Sequence, residues 1–248
     1  VFFGGKTEAQ ENRNKVKVRV MADSVLSLIR NSSNIIVMGH AMTDMDSLGA
    51  CLGVKAMCDY CHKPAQVIYE PKSTERKTKG AILASFSKEE VEKIFVTQAQ
   101  ALNILKTNTL VVVCDVHKAN MTVAPRVIEK ANKIMIIDHH RRGEDFIESP
   151  VFSHIDSSAS SASEMVAELV SYCSANPRIM IPAPYATIML SGIFMDSNFY
   201  KATTVGTRTF EASMALKEYG ADNAKADDFL KDEFEEFALI TRIISTTQ

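Results

Sequence analysis

Three short apolar runs in this chain each stop at an acid or an imidazole. Residues 35–38 (Ile-Ile-Val-Met) lead into Gly39-His40, residues 110–114 (Leu-Val-Val-Val-Cys) into Asp115, and residues 134–137 (Ile-Met-Ile-Ile) into Asp138. Continuous apolar runs of this length, rich in β-branched residues, predict strands buried on both faces of a parallel sheet. A further strand is expected at 66–69, and the polar, basic stretch 71–80 (PKSTERKTKG) reads as a loop. Between 15 and 29, Val18, Met21, Val25, Leu28 and Ile29 recur at helical spacing, and Asn31-Ser32-Ser33-Asn34 ends the run. A helix is expected at 47–60, where Gly49 and Gly53 would permit close packing. Strand and helix alternate up to residue 155, after which helices are expected at 161–173, 183–195, 207–219 and 224–244. The fold class is therefore α/β, a parallel sheet with helices on both faces followed by a helical region.

Composition narrows the function classes. At 248 residues and 46% hydrophobic content, the chain can bury one large α/β core or two modest ones. A net charge of -2 supplies no basic footprint for duplex nucleic acid. No apolar stretch reaches the roughly 18 residues of a membrane span. Five cysteines, an odd number mostly in apolar segments, point to reduced thiols in a cytosolic compartment. Cys58-Asp59-Tyr60-Cys61-His62 spells a c-type haem attachment motif, but it lies in a helix with core-facing cysteines and has no supporting context. Gly4-Gly5-Lys6-Thr7 is too close to Val1 to complete a phosphate-binding Gly-rich loop.

The chemistry concentrates at the strand ends. His40-x-x-x-Asp44-x-Asp46 offers one imidazole and two carboxylates within seven residues, and Asp138-His139-His140 adds an acid and two imidazoles. Mixed nitrogen and oxygen donors at this density suit a pair of divalent ions such as Mn²⁺, Fe²⁺, Mg²⁺ or Zn²⁺. Ligands in open α/β sheets gather beyond the carboxyl ends of the strands, so the three runs would deliver these groups to one rim. The alternative for Asp44 or Asp46 is capping of the helix that follows. The serines at 157–163, with Glu164, mark a turn and a helix start, where hydroxyls cap free amides or the amides hold an anion.

Four blocks stand in a characteristic order: GHAMTDMDSLG, VVVCDVHK, IMIIDHHRR and SGIFMDSNF. They resemble the DHH phosphoesterases, over roughly residues 33–248. Residues 1–11 (VFFGGKTEAQE) are similar to the end of the degenerate GGDEF domain that precedes the catalytic region in cyclic di-AMP phosphodiesterases of the GdpP type, with 12–32 as a connector helix. The resemblance implies a two-metal phosphodiesterase, with Mn²⁺ the expected ion. It places His40 and Asp44 on one ion and Asp46, His139 and Asp196 on the other, with Asp115 bridging them. His140 corresponds to a catalytic histidine that is not a ligand, and Arg141 and Arg208 to substrate contacts. A salt bridge is the alternative for Arg208, and Arg142 reads equally as a surface charge. The implied reaction is attack of metal-activated hydroxide on phosphorus, converting a cyclic dinucleotide, cyclic di-AMP first, to linear pApA. Expected partners are that dinucleotide or a short oligonucleotide, with a homodimer compatible. The membrane would be reached only through segments outside this chain, with this domain on the cytoplasmic side.

Two departures qualify the match. Thr203 and Thr204 stand where a basic residue is common, and no Gly-rich, His-containing loop of a C-terminal DHH-associated subdomain precedes Gln248. Alternatives within the superfamily are an oligoribonuclease or pAp phosphatase, an exonuclease and a pyrophosphatase. From another class, the alternative is a module that senses a nucleotide without turnover. All six expected ligands are present, which favours an enzyme.

Overall fold

A computed structural model describes residues 5–141, 143 and 145–231, with side chains placed from Lys15 onward. Helix α1 (Gly5–Arg30) leads to strand β1 (Ile35–Met38), helix α2 (Met45–Tyr60) and strand β2 (Ala65–Ile68). Helices α3 (Arg76–Ser85) and α4 (Lys88–Ile94), strand β3 (Phe95–Val96) and helix α5 (Gln98–Ile104) follow. Strand β4 (Leu110–Cys114), helix α6 (Pro125–Lys130), strand β5 (Lys133–Asp138) and strand β6 (Phe152–Ile155) complete the sheet. Helices α7 (Ala162–Tyr172), α8 (Ala183–Asp196), α9 (Thr207–Glu218) and α10 (Asn223–Asp228) come after it.

All five strand pairings are parallel, in the order β3-β2-β1-β4-β5-β6. The expected α/β architecture is therefore present. Successive strand residues point to opposite faces, and the burial follows that rule. Ile35, Val37, Leu110, Val112, Met135 and Ile137 pack into a core shared with α1, α2, α7 and α8. Ile36, Met38, Val111, Val113 and Ile136 pack into a second, smaller core beneath α5 and α6. After β1 the chain builds outward to β2 and β3, then returns to place β4 on the other side of β1. That reversal leaves a crevice beyond the carboxyl ends of β1 and β4, the place where such sheets bind ligands.

Several local expectations change. The stretch 71–80 is not a loop: a single 3-10 turn (Pro71–Ser73) precedes α3, whose Thr78, Ala81 and Ile82 are buried at helical spacing. Strand β3, two residues long, lies at the sheet edge and was not expected. Residues 5–30 form one helix, so the expected division between 11 and 12 coincides with no break in it. The helix expected at 224–244 is seen as α10 alone, and its continuation beyond 231, like Arg142 and residues 1–4, lies outside the described residues. Among the described residues no helix is long and apolar enough to cross a membrane.

Candidate metal centre

The loop after β1 is shaped to aim one imidazole nitrogen outward. His40 Nδ1 lies 2.7 Å from its neighbour's carbonyl, Ala41 O, which fixes the tautomer and leaves Nε2 to face the crevice. Thr43 Oγ1 donates to His40 O at 2.8 Å, and His40 N donates to Ser47 Oγ at 3.3 Å. Residues 71–75 brace the same loop, with Thr43 N donating to Ser73 O at 3.0 Å and Glu75 N to Thr43 O at 3.0 Å.

Asp44 serves two purposes. Its Oδ1 accepts from Ser47 N at 2.9 Å as the N-cap of α2, while its Oδ2 lies 3.3 Å from His40 Nε2. The cap expected as an alternative to ligation is thus compatible with it, because a carboxylate has two oxygens.

Asp46 is fully buried, held by the start of α7. Ala162 N donates to its Oδ2 at 2.7 Å and Ser163 N to its Oδ1 at 2.9 Å. The anion at this helix N-terminus is the protein's own carboxylate, and Ser161 caps the helix by accepting from Glu164 N. Burial, then the neighbouring Asp196 and Asp115 carboxylates, pushes the Asp46 carboxyl up.

Asp115 follows β4 with a positive φ of 62°, a left-handed conformation that aspartate tolerates better than most residues. It turns a side chain that is almost wholly buried toward both histidines. Its Oδ2 lies 3.3 Å from His40 Nε2 and its Oδ1 3.2 Å from His139 Nε2. His139 Nε2 also lies 3.0 Å from Asp196 Oδ2 and 3.9 Å from Asp46 Oδ2. Asp196 is the last residue of α8, where the helix dipole disfavours an anion.

Three overlapping groups of donors result, and two of them, His40 with Asp44 and Asp115, and Asp46 with His139 and Asp196, share no residue; the third, Asp115 with His139 and His140, joins them. Asp115 presents one oxygen to each of the first two. Within this cluster Asp115 Oδ1 and His139 Nε2 are buried without a hydrogen-bond partner. A buried polar atom left without a partner is costly, and a cation between the two would satisfy both. Burial opposes charge on His40 and on His139, yet the adjoining carboxylates, Asp115 foremost, push each imidazole up to about 11. Burial likewise opposes charge on Asp115, but His139 and His40 hold its carboxyl below the usual range.

The model of the DHH family, N-terminal domain, matches residues 34–193. The chain belongs to the DHH family. It is 34% identical over 246 residues to the protein named cyclic-di-AMP phosphodiesterase GdpP of Bacillus subtilis, covering 99% of this chain and 37% of that protein. It is 34% identical over 248 residues to the cyclic-di-AMP phosphodiesterase PdeA of Listeria monocytogenes, covering 100% of this chain and 37% of that protein. An exopolyphosphatase-related protein from Bacteroides fragilis shares the fold at a TM-score of 0.75 and 18% identity, covering 91% of this chain and 65% of that one. This DHH chain thus spans little more than a third of the curated relatives' length.

The DHH motif itself sits at the end of β5. Its Asp138 is fully buried, belongs to none of the donor groups and bonds two other imidazoles. Asp138 Oδ1 accepts from His140 N at 3.1 Å and from His140 Nδ1 at 2.8 Å, while Oδ2 bonds His117 Nδ1. Burial opposes charge on Asp138, but His140 and His117 bring its carboxyl down to about 2. Asp138 in turn raises the pKa of His140, against burial.

His140 and Arg141 line an open cleft of about 680 Å³ together with His40, Asp115, Lys118 and Met121. Arg208 does not line this cleft. Its guanidinium grips Glu168 at 2.8 and 2.7 Å and Asp156 at 2.9 Å, the ion pairing expected as the alternative to a substrate contact. On sequence alone Asp138 counts among the donors at the strand ends, and His117 and Lys118 have no assigned role; in the structure Asp138 belongs to none of the donor groups. The signal available for His117 was its place two residues after Asp115, in the block VVVCDVHK.

Proposed function

We propose that this DHH domain is a metal-dependent phosphodiesterase that hydrolyses a cyclic dinucleotide, cyclic di-AMP first, to linear pApA. The observation that carries the reading is the position of Asp115, with one carboxylate oxygen toward each of two three-residue donor sets. The substrate assignment rests on likeness over the whole chain to two proteins named cyclic-di-AMP phosphodiesterases.

In this reading His40, Asp44 and Asp115 hold one divalent ion, and Asp46, His139, Asp196 and Asp115 hold a second. Mn²⁺ is the proposed ion, since imidazole and carboxylate donors together suit it. Two such ions, when bound, lower the pKa of water and neutralise charge on phosphoryl oxygens. The remaining work belongs to the chain. His140 Nδ1–H donates a hydrogen bond to Asp138 Oδ1, which leaves Nε2 free to face the substrate, and in the charged ring Nε2 holds the proton that passes to a phosphoryl or leaving oxygen. Arg141 and Lys118, at the cleft edge, place positive charge where a phosphate would lie. A cleft of about 680 Å³ falls within the range of small-ligand sites. The five cysteines are all free thiols, which supports a reducing, cytoplasmic setting.

The test is a competition among cyclic di-AMP, pApA, pAp and pyrophosphate in the presence of Mn²⁺. Cyclic di-AMP should be consumed first, with pApA as the product. Faster loss of pAp or pyrophosphate would replace this reading with that of a phosphatase or pyrophosphatase. Binding without loss of any of the four would make the domain a sensor.

A further inference from the structure

His117 lines the cleft but belongs to neither donor set, and it is 3% exposed. Its Nδ1 is hydrogen-bonded to Asp138 Oδ2, and its Nε2 accepts from Gly143 N at 3.4 Å. Its carbonyl oxygen accepts from Ile147 N at 2.8 Å. One residue thereby ties the end of β4 to the segment that follows the DHH motif and carries Arg141.

The link through Asp138 matters more. Asp138 is fully buried, and its other oxygen takes both the backbone and the ring N–H of His140. A carboxylate gripped on one oxygen alone can swing, and a buried oxygen without a donor is costly. With His117 on Oδ2, the plane of the Asp138 carboxylate is fixed, and with it the tautomer and tilt of the His140 ring. A histidine ligand or catalyst is oriented in this way by the partner of its other nitrogen.

We propose that His117 is a positioning residue for hydrolysis. It acts through Asp138 on His140 and through the Gly143 and Ile147 amides on the segment bearing Arg141. The proposal rests on the phosphodiesterase reading for its kinetic consequence, though not for its structural one.

Three variants separate its parts. His117→Leu removes both ring nitrogens. His117→Asn keeps an N–H close to the Nδ1 position, and His117→Gln moves it toward the Nε2 position. Mn²⁺ binding is measured by calorimetry, and kcat and KM on bis(p-nitrophenyl) phosphate. The His140 ring is followed by ¹⁵N NMR in the metal-free chain. His117→Leu should keep both ions and its KM to within about threefold while kcat falls about 100-fold, the cost of a misplaced catalytic group. Its His140 signals should show a mixture of tautomers in place of one proton on Nδ1. His117→Asn should restore both kcat and the single tautomer, and His117→Gln should restore neither. If the leucine variant does not fold, the contrast between Asn and Gln carries the test alone. Parent kcat with an unchanged His140 signature in His117→Leu or His117→Gln would overturn the proposal, as would equal behaviour of Asn and Gln. If the parent turns over no phosphodiester at all, the functional reading falls and the NMR contrast alone decides the role of His117.

Discussion

Gly192 on α8 passes so close to Asp46 that a methyl group on the glycine would sit 2.7 Å from the aspartate's Cα and 3.0 Å from its Oδ1. The helix that ends in Asp196 can approach the buried carboxylate only because this position has no side chain. Gly192→Ala should therefore push α8 away from α2 and pull Asp196 from His139. Overpacking of this kind costs about 1–3 kcal/mol. A lower melting temperature together with weaker Mn²⁺ binding is expected. An alanine variant that melts and binds like the parent would mean that the close approach does not set the geometry.

Asp115 should be the most sensitive of the six expected ligands. Asp115→Ala deletes the side chain that presents one oxygen to His40 and the other to His139, and calorimetry should show one Mn²⁺ bound where the parent binds two. Losing several kcal/mol of transition-state stabilisation lowers turnover on the order of a thousandfold. His62→Ala, far along the chain from these strand ends, is the control. Turnover in Asp115→Ala within about tenfold of the parent would contradict the bridging role.

Protons should compete with metal. In the metal-free chain His40 and His139 are each pushed up to about 11 from an ordinary 6.5. A raised pKa contributes stability that is fully present below 6.5 and is lost as pH rises through about 11. Metal binding needs both imidazoles as free bases and the raised Asp46 carboxyl ionised, so at pH 8 it should release at least the two imidazole protons, and affinity should weaken as pH falls. Calorimetry in buffers of different ionisation enthalpy counts those protons. Release near zero would show that neither imidazole is charged before the metal arrives.

Arg208 should matter for stability and not for substrate. Arg208→Met leaves Glu168, 5% exposed, without its bidentate partner. Removing one member of a buried pair costs about 3 kcal/mol. The melting temperature should fall while KM for a phosphodiester stays unchanged. A rise in KM without loss of stability would restore the substrate-contact role.

Much of this was written locally. The runs before His40, Asp115 and Asp138 are strands because β-branched residues without polar interruption suit a sheet covered on both sides, and that signal lies within four or five neighbours. The same locality makes Asp44 a cap, Ser161 a cap and α7 a helix. It also misled at 71–80, where the charged Arg76, Lys77 and Lys79 hid a helix whose buried positions Thr78, Ala81 and Ile82 continue past Gly80. The two-residue β3 is too short for any period to register.

Other relationships had no local form. The order β2-β1-β4-β5 puts the loop of His40 beside Asp115, and only packing of the sheet against two layers of helices decides that order. Asp46 meets the α7 amides, Asp138 meets His117, and Arg208 turns to Glu168 because long-range contacts brought the elements together. Residue types and strand ends determined which donors this chain has. The tertiary structure decided which of them face one another, because a hydrophobic period encodes which side of an element is buried and says nothing about what it is buried against.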